Sequence, residues 1–310
     1  MTPAFQKRAL LIAGPTASGK SALALDKARE LGGVIINADA LQVYAPLRLL
    51  SARPTPEEEA MVPHRLYGHV GAEQPYSVAA WLAEARLALE EAWGEGKLPI
   101  ITGGTGLYFT ALERGLAPVP DIPFGVRNRW RSFTGDLHGE LLKRDAAMAA
   151  RLLPSDRQRV TRALEVVEAT GRSLLDWQRE GQEGAALEGV TVERIFLDVP
   201  RAELHARAES RFDRMIAEGA LEEASAVKHL DPSLPMMKAI GLPELICHLR
   251  GEISLDEASA LAKAATRQFI KRQGTWWRGQ LTHWRQQHRH PGEGRGDGTM
   301  GPLDAALPPT

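Results

Sequence analysis

Gly14-Pro15-Thr16-Ala17-Ser18-Gly19-Lys20-Ser21 decides how the rest of the chain is read. It fills every fixed position of the phosphate-loop pattern G-x-x-x-x-G-K-[ST]. Its flanks supply the context. Ala9-Leu10-Leu11-Ile12-Ala13 is a short apolar run that reads as a buried strand, and residues 21–31 carry Leu23, Ala24, Ala28 and Leu31 at helical spacing. Gly32-Gly33 then stops the helix. A strand, a glycine loop and a helix start aim unpaired backbone N–H groups and the helix dipole at one spot, which makes an anion site. Lys20 adds a full positive charge, and the Ser21 hydroxyl can hold a magnesium ion. A chance match in a glycine-bearing turn would leave those flanks unexplained. The motif specifies a polyphosphate; it specifies neither the molecule nor the bond that breaks.

Two further strands feed the same end of a sheet. Val34-Ile35-Ile36-Asn37-Ala38-Asp39 reads as a buried strand ending in a carboxylate, with Gln42 and Tyr44 in the turn beyond. Ligands of open α/β sheets sit beyond the carboxyl ends of strands, so Asp39 is expected near whatever the phosphate loop holds. Its rival roles are a structural cap or a ligand to magnesium-bound water. Leu98-Pro99-Ile100-Ile101-Thr102 reads as a third strand, followed by Gly103-Gly104-Thr105-Gly106 and a helix from Leu107. Glycines there let backbone approach a ligand closely, and the Thr105 hydroxyl can reach one of its polar atoms; the alternative is a tight turn only. A lone His64 is more often structural than catalytic. The fold class is α/β, with a P-loop NTPase-like parallel sheet.

Composition narrows the setting. A chain of 310 residues suggests about two domains, or one with an insertion. One cysteine, Cys247, excludes a disulfide framework and a cysteine zinc site, and suits a reducing cytoplasm. No apolar run approaches the roughly 18 residues that span a membrane, and no signal-peptide pattern opens the chain. A net charge of −1 argues against a dedicated nucleic-acid binder, but the distribution of charge matters more than its sum.

The proline-rich run Ala117-Pro118-Val119-Pro120-Asp121-Ile122-Pro123 marks a boundary. Residues 126–178 read as helical, with caps at Asp136, Asp145 and Ser155 and a stop at Gly171. The expected organisation is a core in two parts, 1–116 and 191–290, interrupted by a helical insertion over 117–190, with a disordered tail over 291–310. The insertion carries Arg127, Arg129 and Arg131, then Arg157, Gln158, Arg159 and Arg162. Arg159 and Arg162 share a helix face; an ordinary salt-bridged face with Glu165 is the alternative. After Pro200 a helix brings Arg207, Arg211 and Arg214, which can close on phosphates or pair with Glu203 and Glu209. Ser254-Leu255-Asp256-Glu257 opens the last long helix as a capping box. Residues 258–292 hold no acid; Trp276, Trp277 and Trp284 are interleaved there with Lys263, Arg267, Lys271, Arg272, Arg278, Arg285 and Arg289. Cations for phosphates and flat faces for bases suit a nucleic-acid surface; a basic helix covering acidic neighbours is the alternative.

Several motifs in this order resemble the bacterial tRNA dimethylallyltransferase (tRNA isopentenyltransferase) family. They are residues 14–21, the run Asn37-Ala38-Asp39-Ala40-Leu41-Gln42-Val43-Tyr44, the run Gly103-Gly104-Thr105-Gly106-Leu107-Tyr108, residues 156–165, and residues 266–276. The resemblance implies transfer of a dimethylallyl group from dimethylallyl diphosphate to N6 of adenosine 37, beside the anticodon of tRNA. It implies a phosphate-loop core with a helical insertion, magnesium, and a cytoplasmic, monomeric enzyme. By position, Asp39 matches the general base, Thr105 a residue contacting the target nucleotide, and Arg211 a diphosphate-binding arginine. Asp39, Ala40, Leu41 and Gln42, and Gln158, Arg159, Val160, Thr161 and Arg162, match tRNA-contacting segments. Arg127, Arg267, Lys271 and Arg272 join them as basic candidates. Three departures stand out: Ala40 for a usual Ser, Gly68 for a usual Asp, and Leu242-Pro243 for a usual Tyr-Lys.

The chemistry agrees with that resemblance. An adenine N6 amine is a poor nucleophile and needs a base within hydrogen-bond reach. Charge developing on a diphosphate leaving group is met by Lys20, magnesium and arginines. An adenine stacked in RNA must be flipped out to reach a buried site. The rival reading is a P-loop kinase or transferase acting on free adenine nucleotides; the insertion and the acid-free last helix speak against it.

Overall fold

The computed structural model describes residues 6–280 and 284–288; the expected tail, 291–310, lies outside the described residues. The chain forms two compact units. Of the described residues, one takes those up to 76, 88–106 and those from 192 onward; the other takes Ser77–Leu87 and Leu107–Thr191. The proline-rich run is therefore not where the second unit opens. It lies inside that unit, just after Leu116, whose N–H and C=O both pair with Glu183 at 3.1 and 3.0 Å.

The first unit is built on a six-stranded sheet of β1 (Arg8–Ala13), β2 (Gly33–Asn37), β3 (His64–Arg65), β4 (Leu98–Gly103), β5 (Thr191–Asp198) and β6 (Arg285–His288), ordered β3-β2-β4-β1-β5-β6. β1 with β4, β2 with β4, β2 with β3 and β5 with β6 run parallel. β1 reads as an unbroken apolar run because it is covered on both faces: Leu10, Leu11, Ile12 and Ala13 are each at most 1% exposed. Leu10 stands opposite Ile100, and Asn37 opposite Thr102. β2 ends at Asn37, two residues earlier than its apolar run suggests, so Asp39 stands past the carboxyl end of the strand.

α1 (Lys20–Leu31) lays Leu23, Ala24 and Ala28 on Leu10, Ile12, Ile35, Ile100, Ile195 and Leu197. Gly32, at φ 62°, closes it by donating its N–H to Ala28 O. α2 (Pro56–Met61) starts on a complete capping box between Thr55 and Glu58. α3 (Val78–Gly94) and α4 (Gly106–Arg114) follow β3 and β4.

The second unit holds α5 (Phe124–Ser132), α6 (Leu137–Arg144), α7 (Ala146–Ala149), α8 (Arg157–Thr170) and α9 (Leu174–Arg179). Trp130, Leu137, Leu141, Met148, Val160, Ala163, Leu164 and Leu175 form its core. Asp136 and Asp145 cap α6 and α7 as expected, and Gly171 ends α8 at φ 66°. The cap of α8 is Asp156 rather than Ser155, because its carboxylate accepts the Arg159 N–H at 3.2 Å.

Returning to the first unit, α10 (Arg201–Ala217), α11 (Ala220–Val227), α12 (Leu242–Leu249) and α13 (Leu255–Gln280) share a second core. Phe212, Met215, Ala224, Leu242, Leu245, Ile246, Ala258 and Ala262 enclose Val43, Tyr44, Leu47 and Leu50 from the segment after β2. Each fully buried side chain of the Leu or Phe kind contributes about 1.5–3 kcal/mol, so this core clamps the chain that leaves Asp39. The basic C-terminal stretch is not one long helix: α13 stops at Gln280, and β6 adds to the sheet edge beside β5. Trp277 and Trp284, read from sequence as faces for bases, are 3% and 4% exposed. Trp277 packs between Phe196 and Trp284 at 5.3 and 5.5 Å, so both are core.

Candidate active site

The phosphate loop closes on itself. Ser18 donates its N–H to Pro15 O at 3.2 Å, Ala17 sits at φ 64°, and Gly19, at φ 89°, is the residue from which α1 starts. A Cβ on Gly14 would lie 2.7 Å from Ser18 Oγ and 3.3 Å from Leu197 O, so only glycine fits between the loop and β5. Ser18 Oγ is buried with no partner among the described residues. Lys20 donates to Pro15 O at 3.4 Å. Burial of its ammonium group pulls its pKa down to about 8, against the pull of Asp39, with Arg211 adding to the fall. Arg211, on α10, donates to Thr16 Oγ1 at 2.6 Å and is itself lowered, mainly by burial. Lys20, Arg211 and Asp39 thus feel one another across one site.

Asp39 is held by its own turn. The Asn37 side chain accepts the Asp39 N–H at 2.8 Å and donates to Asp39 O and Leu66 O, both at 3.0 Å. Asp39 Oδ1 accepts the Leu41 N–H at 3.0 Å; Oδ2 accepts no hydrogen bond among the described residues. The ends of β2 and β4 are laced together: Ala38 N–H donates to Thr102 O at 2.7 Å, and Thr105 N–H to Ala38 O at 3.2 Å. The Thr105 hydroxyl accepts the Ala40 N–H at 3.0 Å, which leaves its own proton to donate outward. Asp39 and Thr105 are therefore brought together where β2 and β4 end.

The glycines of the 103–106 turn answer to protein rather than to a ligand. A Cβ on Gly103 would run into the Ala38 carbonyl, and one on Gly104 would lie 2.5 Å from Gln273 Nε2. One on Gly106 would enter the ring of Trp276. Gln273 and Trp276 come from α13, and nothing in the sequence around residue 104 announces them.

The donor set suits a hard cation. Ser21 is exposed at the start of α1, and Thr102 Oγ1, buried with no partner among the described residues, lines with it a narrow cleft that Leu25, Ile35, Pro54, Glu58, His64 and Tyr67 complete. These are oxygen donors beside a phosphate cradle, as magnesium prefers; no group of three His, Cys, Asp or Glu that could hold a metal occurs among the described residues. His64 is structural: its Nδ1 lies 2.9 Å from Val62 O, and burial lowers its pKa.

The expected RNA-contacting residues divide. Lys271 and Arg272 are exposed on α13, whereas Arg267 pairs with Glu209 at 2.5 Å and Lys263 with Asp213 at 2.6 Å. The acid-free stretch of α13 thus covers acidic neighbours in part. Gln42 Nε2 donates to Ser51 O and Ala52 O at 3.0 and 2.8 Å, and Leu41 packs against the second core. In the second unit, Gln158 and Arg159 are exposed, the latter 3.1 Å from Asp156. Arg162 and Arg131 flank the buried Glu165 at 3.5 and 3.0 Å. The half-buried Arg127 has its Nε enclosed with no partner among the described residues. Val160 is fully buried and Thr161 9% exposed. The Val160 side chain belongs to the helical core and cannot meet RNA.

Known proteins resemble this chain along the same lines. Residues 42–280 match the family described as IPP transferase, and residues 7–70 that described as isopentenyl transferase. A tRNA dimethylallyltransferase of Nitrobacter hamburgensis is 56% identical over 284 residues, 89% of each chain. One from Rhodopseudomonas palustris is 56% identical over 281 residues, 88% of this chain and 89% of that one. Among solved structures, the full-length tRNA isopentenylpyrophosphate transferase of Bacillus halodurans superposes with a TM-score of 0.65 at 30% identity, over 91% of this chain and 90% of that one. A eukaryotic dimethylallyltransferase acting on tRNA gives a TM-score of 0.76 at 26% identity, over 87% of this chain and 70% of that one. No helix among the described residues is long and apolar enough to cross a membrane.

Proposed function

The chain belongs to the IPP transferase family and prenylates tRNA, and from this premise we propose that it transfers the dimethylallyl group of dimethylallyl diphosphate to N6 of adenosine 37, next to the anticodon. The observation that carries this reading is that Asp39, tied through Ala38 and Ala40 to Thr105 where β2 and β4 end, lies within electrostatic reach of Lys20 and Arg211 at the phosphate loop.

Each side chain then has a chemical task. Loop N–H groups, Lys20 and Arg211 hold the diphosphate and meet the charge that grows as the allylic C–O bond breaks. Magnesium, when bound, supplies further charge at the same oxygens, and Ser21 would hold it. The flipped adenine presents N6 to the allylic carbon. As the N–C bond forms, the N6 proton passes to Asp39, whose Oδ2 is the oxygen not committed to the Asp39 turn. Thr105 donates its hydroxyl proton to a substrate acceptor while the Ala40 amide fixes its oxygen. Diphosphate leaves, and no ATP is consumed. The reading carries with it a monomeric enzyme in the cytoplasm, a setting that suits one free cysteine.

The test is incubation with dimethylallyl diphosphate, magnesium and unmodified tRNA, followed by mass analysis of the nucleosides. An adenosine one dimethylallyl group heavier, mapping beside the anticodon, is expected. Transfer to AMP with tRNA left unmodified would overturn the assignment.

A further inference from the structure

Gln273 is buried within α13, 7% exposed. Its side-chain oxygen accepts the Thr16 N–H at 2.9 Å, and its side-chain nitrogen donates to Gly104 O at 3.1 Å. One amide therefore spans two loops that lie 257 and 169 residues away from it in sequence. Thr16 belongs to the diphosphate cradle and is gripped a second time through its hydroxyl by Arg211. Gly104 precedes Thr105, and a Cβ there would sit 3.4 Å from Asp39 Oδ2. One end of the bridge thus holds the leaving-group side of the reaction, and the other holds the side that carries the base.

The helix is anchored on both sides of this residue. Ile270 packs with Val199, Leu204 and Ala208, and Trp277 with Phe196, so the Gln273 backbone cannot drift to follow either loop. Glutamine also has the right reach. Asparagine offers the same amide one methylene shorter and could serve one loop, not both. A buried amide satisfied at both ends is a rigid spacer.

We propose that Gln273 is a positioning residue that sets the spacing between the diphosphate cradle and the Asp39–Thr105 platform. This rests on the transfer reaction proposed above. Neither loop depends on Gln273 for its own binding groups: Lys20, Arg211 and the loop amides hold the donor, and Asp39 and Thr105 are fixed by Asn37, Leu41, Ala38 and Ala40. Loosening the bridge therefore costs alignment of the allylic carbon with N6 rather than affinity for either substrate. Misplacement of reacting groups by about 1 Å lowers rates on the order of 100-fold.

The experiment uses the full-length enzyme with Gln273→Met, which keeps length and loses both bonds, and Gln273→Asn, which keeps the amide and loses the span. Donor affinity by calorimetry, tRNA affinity by filter binding, melting temperature and single-turnover transfer at saturation of both substrates are measured. The expected result is a roughly 10- to 100-fold slower single-turnover rate in both variants, with each dissociation constant within about threefold of wild type. A wild-type rate in either folded variant overturns the proposal. So does a loss that vanishes at saturating donor, which makes Gln273 part of the donor site alone. In wild type, the Thr16 amide should exchange slowly with solvent; fast exchange there overturns the bridge even if neither variant folds. A wild-type enzyme that leaves tRNA unmodified sinks the parent reading instead, which keeps the two failures apart.

Discussion

Lys20 is the group whose titration should limit the enzyme from the alkaline side. Burial is the main cause of its lowered pKa of about 8, and Arg211 adds to it while Asp39 opposes. A pKa near 8 leaves about 90% of Lys20 charged at pH 7 and about 10% at pH 9. The charged form is the one that meets the diphosphate. The kcat/KM for dimethylallyl diphosphate, which reports the free enzyme, should therefore fall about tenfold per pH unit above roughly pH 8. The bound anion favours the ammonium form, so donor binding near pH 8 should take up about half a proton. Calorimetry in buffers of different ionisation enthalpy measures that uptake directly. Stability moves the other way. With the folded pKa of about 8 below the unfolded 10.5, the unfolded chain holds the extra proton between those values, so this group makes the fold more stable as pH rises through that window. Failing donor capture there cannot be blamed on Lys20-linked unfolding. Lys20→Ala should remove the alkaline limb and lower kcat/KM at pH 7 by about 10²–10³-fold. If Lys20→Ala keeps a limb with the same midpoint, or wild type stays flat to about pH 9.5, the reasoning about Lys20 is wrong.

Three further outcomes test the acid Asp39 and the cations of α13. Asp39→Asn keeps the Leu41 turn and should lower single-turnover transfer by about 10²–10⁴-fold while both substrates still bind; normal turnover once donor and magnesium are saturating would make Asp39 a metal-side ligand instead. Lys271→Ala with Arg272→Ala should weaken tRNA binding and flatten its salt dependence by about 0.7–0.9 for each phosphate no longer neutralised. Arg267→Ala should do so less, because Arg267 is already paired with Glu209; equal slopes for both would show that the Glu209 pair does not hold Arg267 back.

What can be read from sequence is local. The phosphate loop is a contiguous pattern flanked by a covered strand and an amphipathic helix, so its residues, its conformation and its place at the sheet's carboxyl edge all follow from one stretch. Asp39 is legible for the same reason, as a carboxylate at the end of an apolar run. The bridge through Gln273 is not, because neither Thr16 nor Gly104 carries a local mark of a partner so far along the chain. The glycines at 104 and 106 mislead for the same reason: a missing Cβ looks alike whether a ligand or a helix fills the space. Aromatic residues among cations mislead at Trp277, since period and charge do not say which face of α13 turns inward, and at Trp284, which lies beyond α13 and just before β6. The helical segment is visible as a run of caps, yet the share of α3 in it is not, because that helix comes before the proline-rich run that marks the boundary in sequence.

The departures from the family pattern show how local structure absorbs a changed residue. At Ala40 the bond that fixes Thr105 comes from the backbone N–H, so the absent serine hydroxyl does not loosen it. Gly68 sits at φ 55°, and a side chain there would occupy the place of the Arg53 guanidinium. That guanidinium donates to Tyr44 O and Ala45 O at 3.2 and 3.1 Å, and Tyr44 N–H in turn donates to Leu41 O at 3.3 Å. The place that a carboxylate at 68 would take is thus filled by an arginine that ties down the segment beyond Asp39 itself. Leu242-Pro243 opens α12 immediately after Gly241, at φ 93°, with Pro243 where a missing N–H costs nothing and Leu242 fully buried in the second core. All three changes fall on positions whose work is done by backbone, by a neighbour or by packing. Asp39, Lys20 and Gln273, to which the proposed reaction assigns its work, lie outside these three positions.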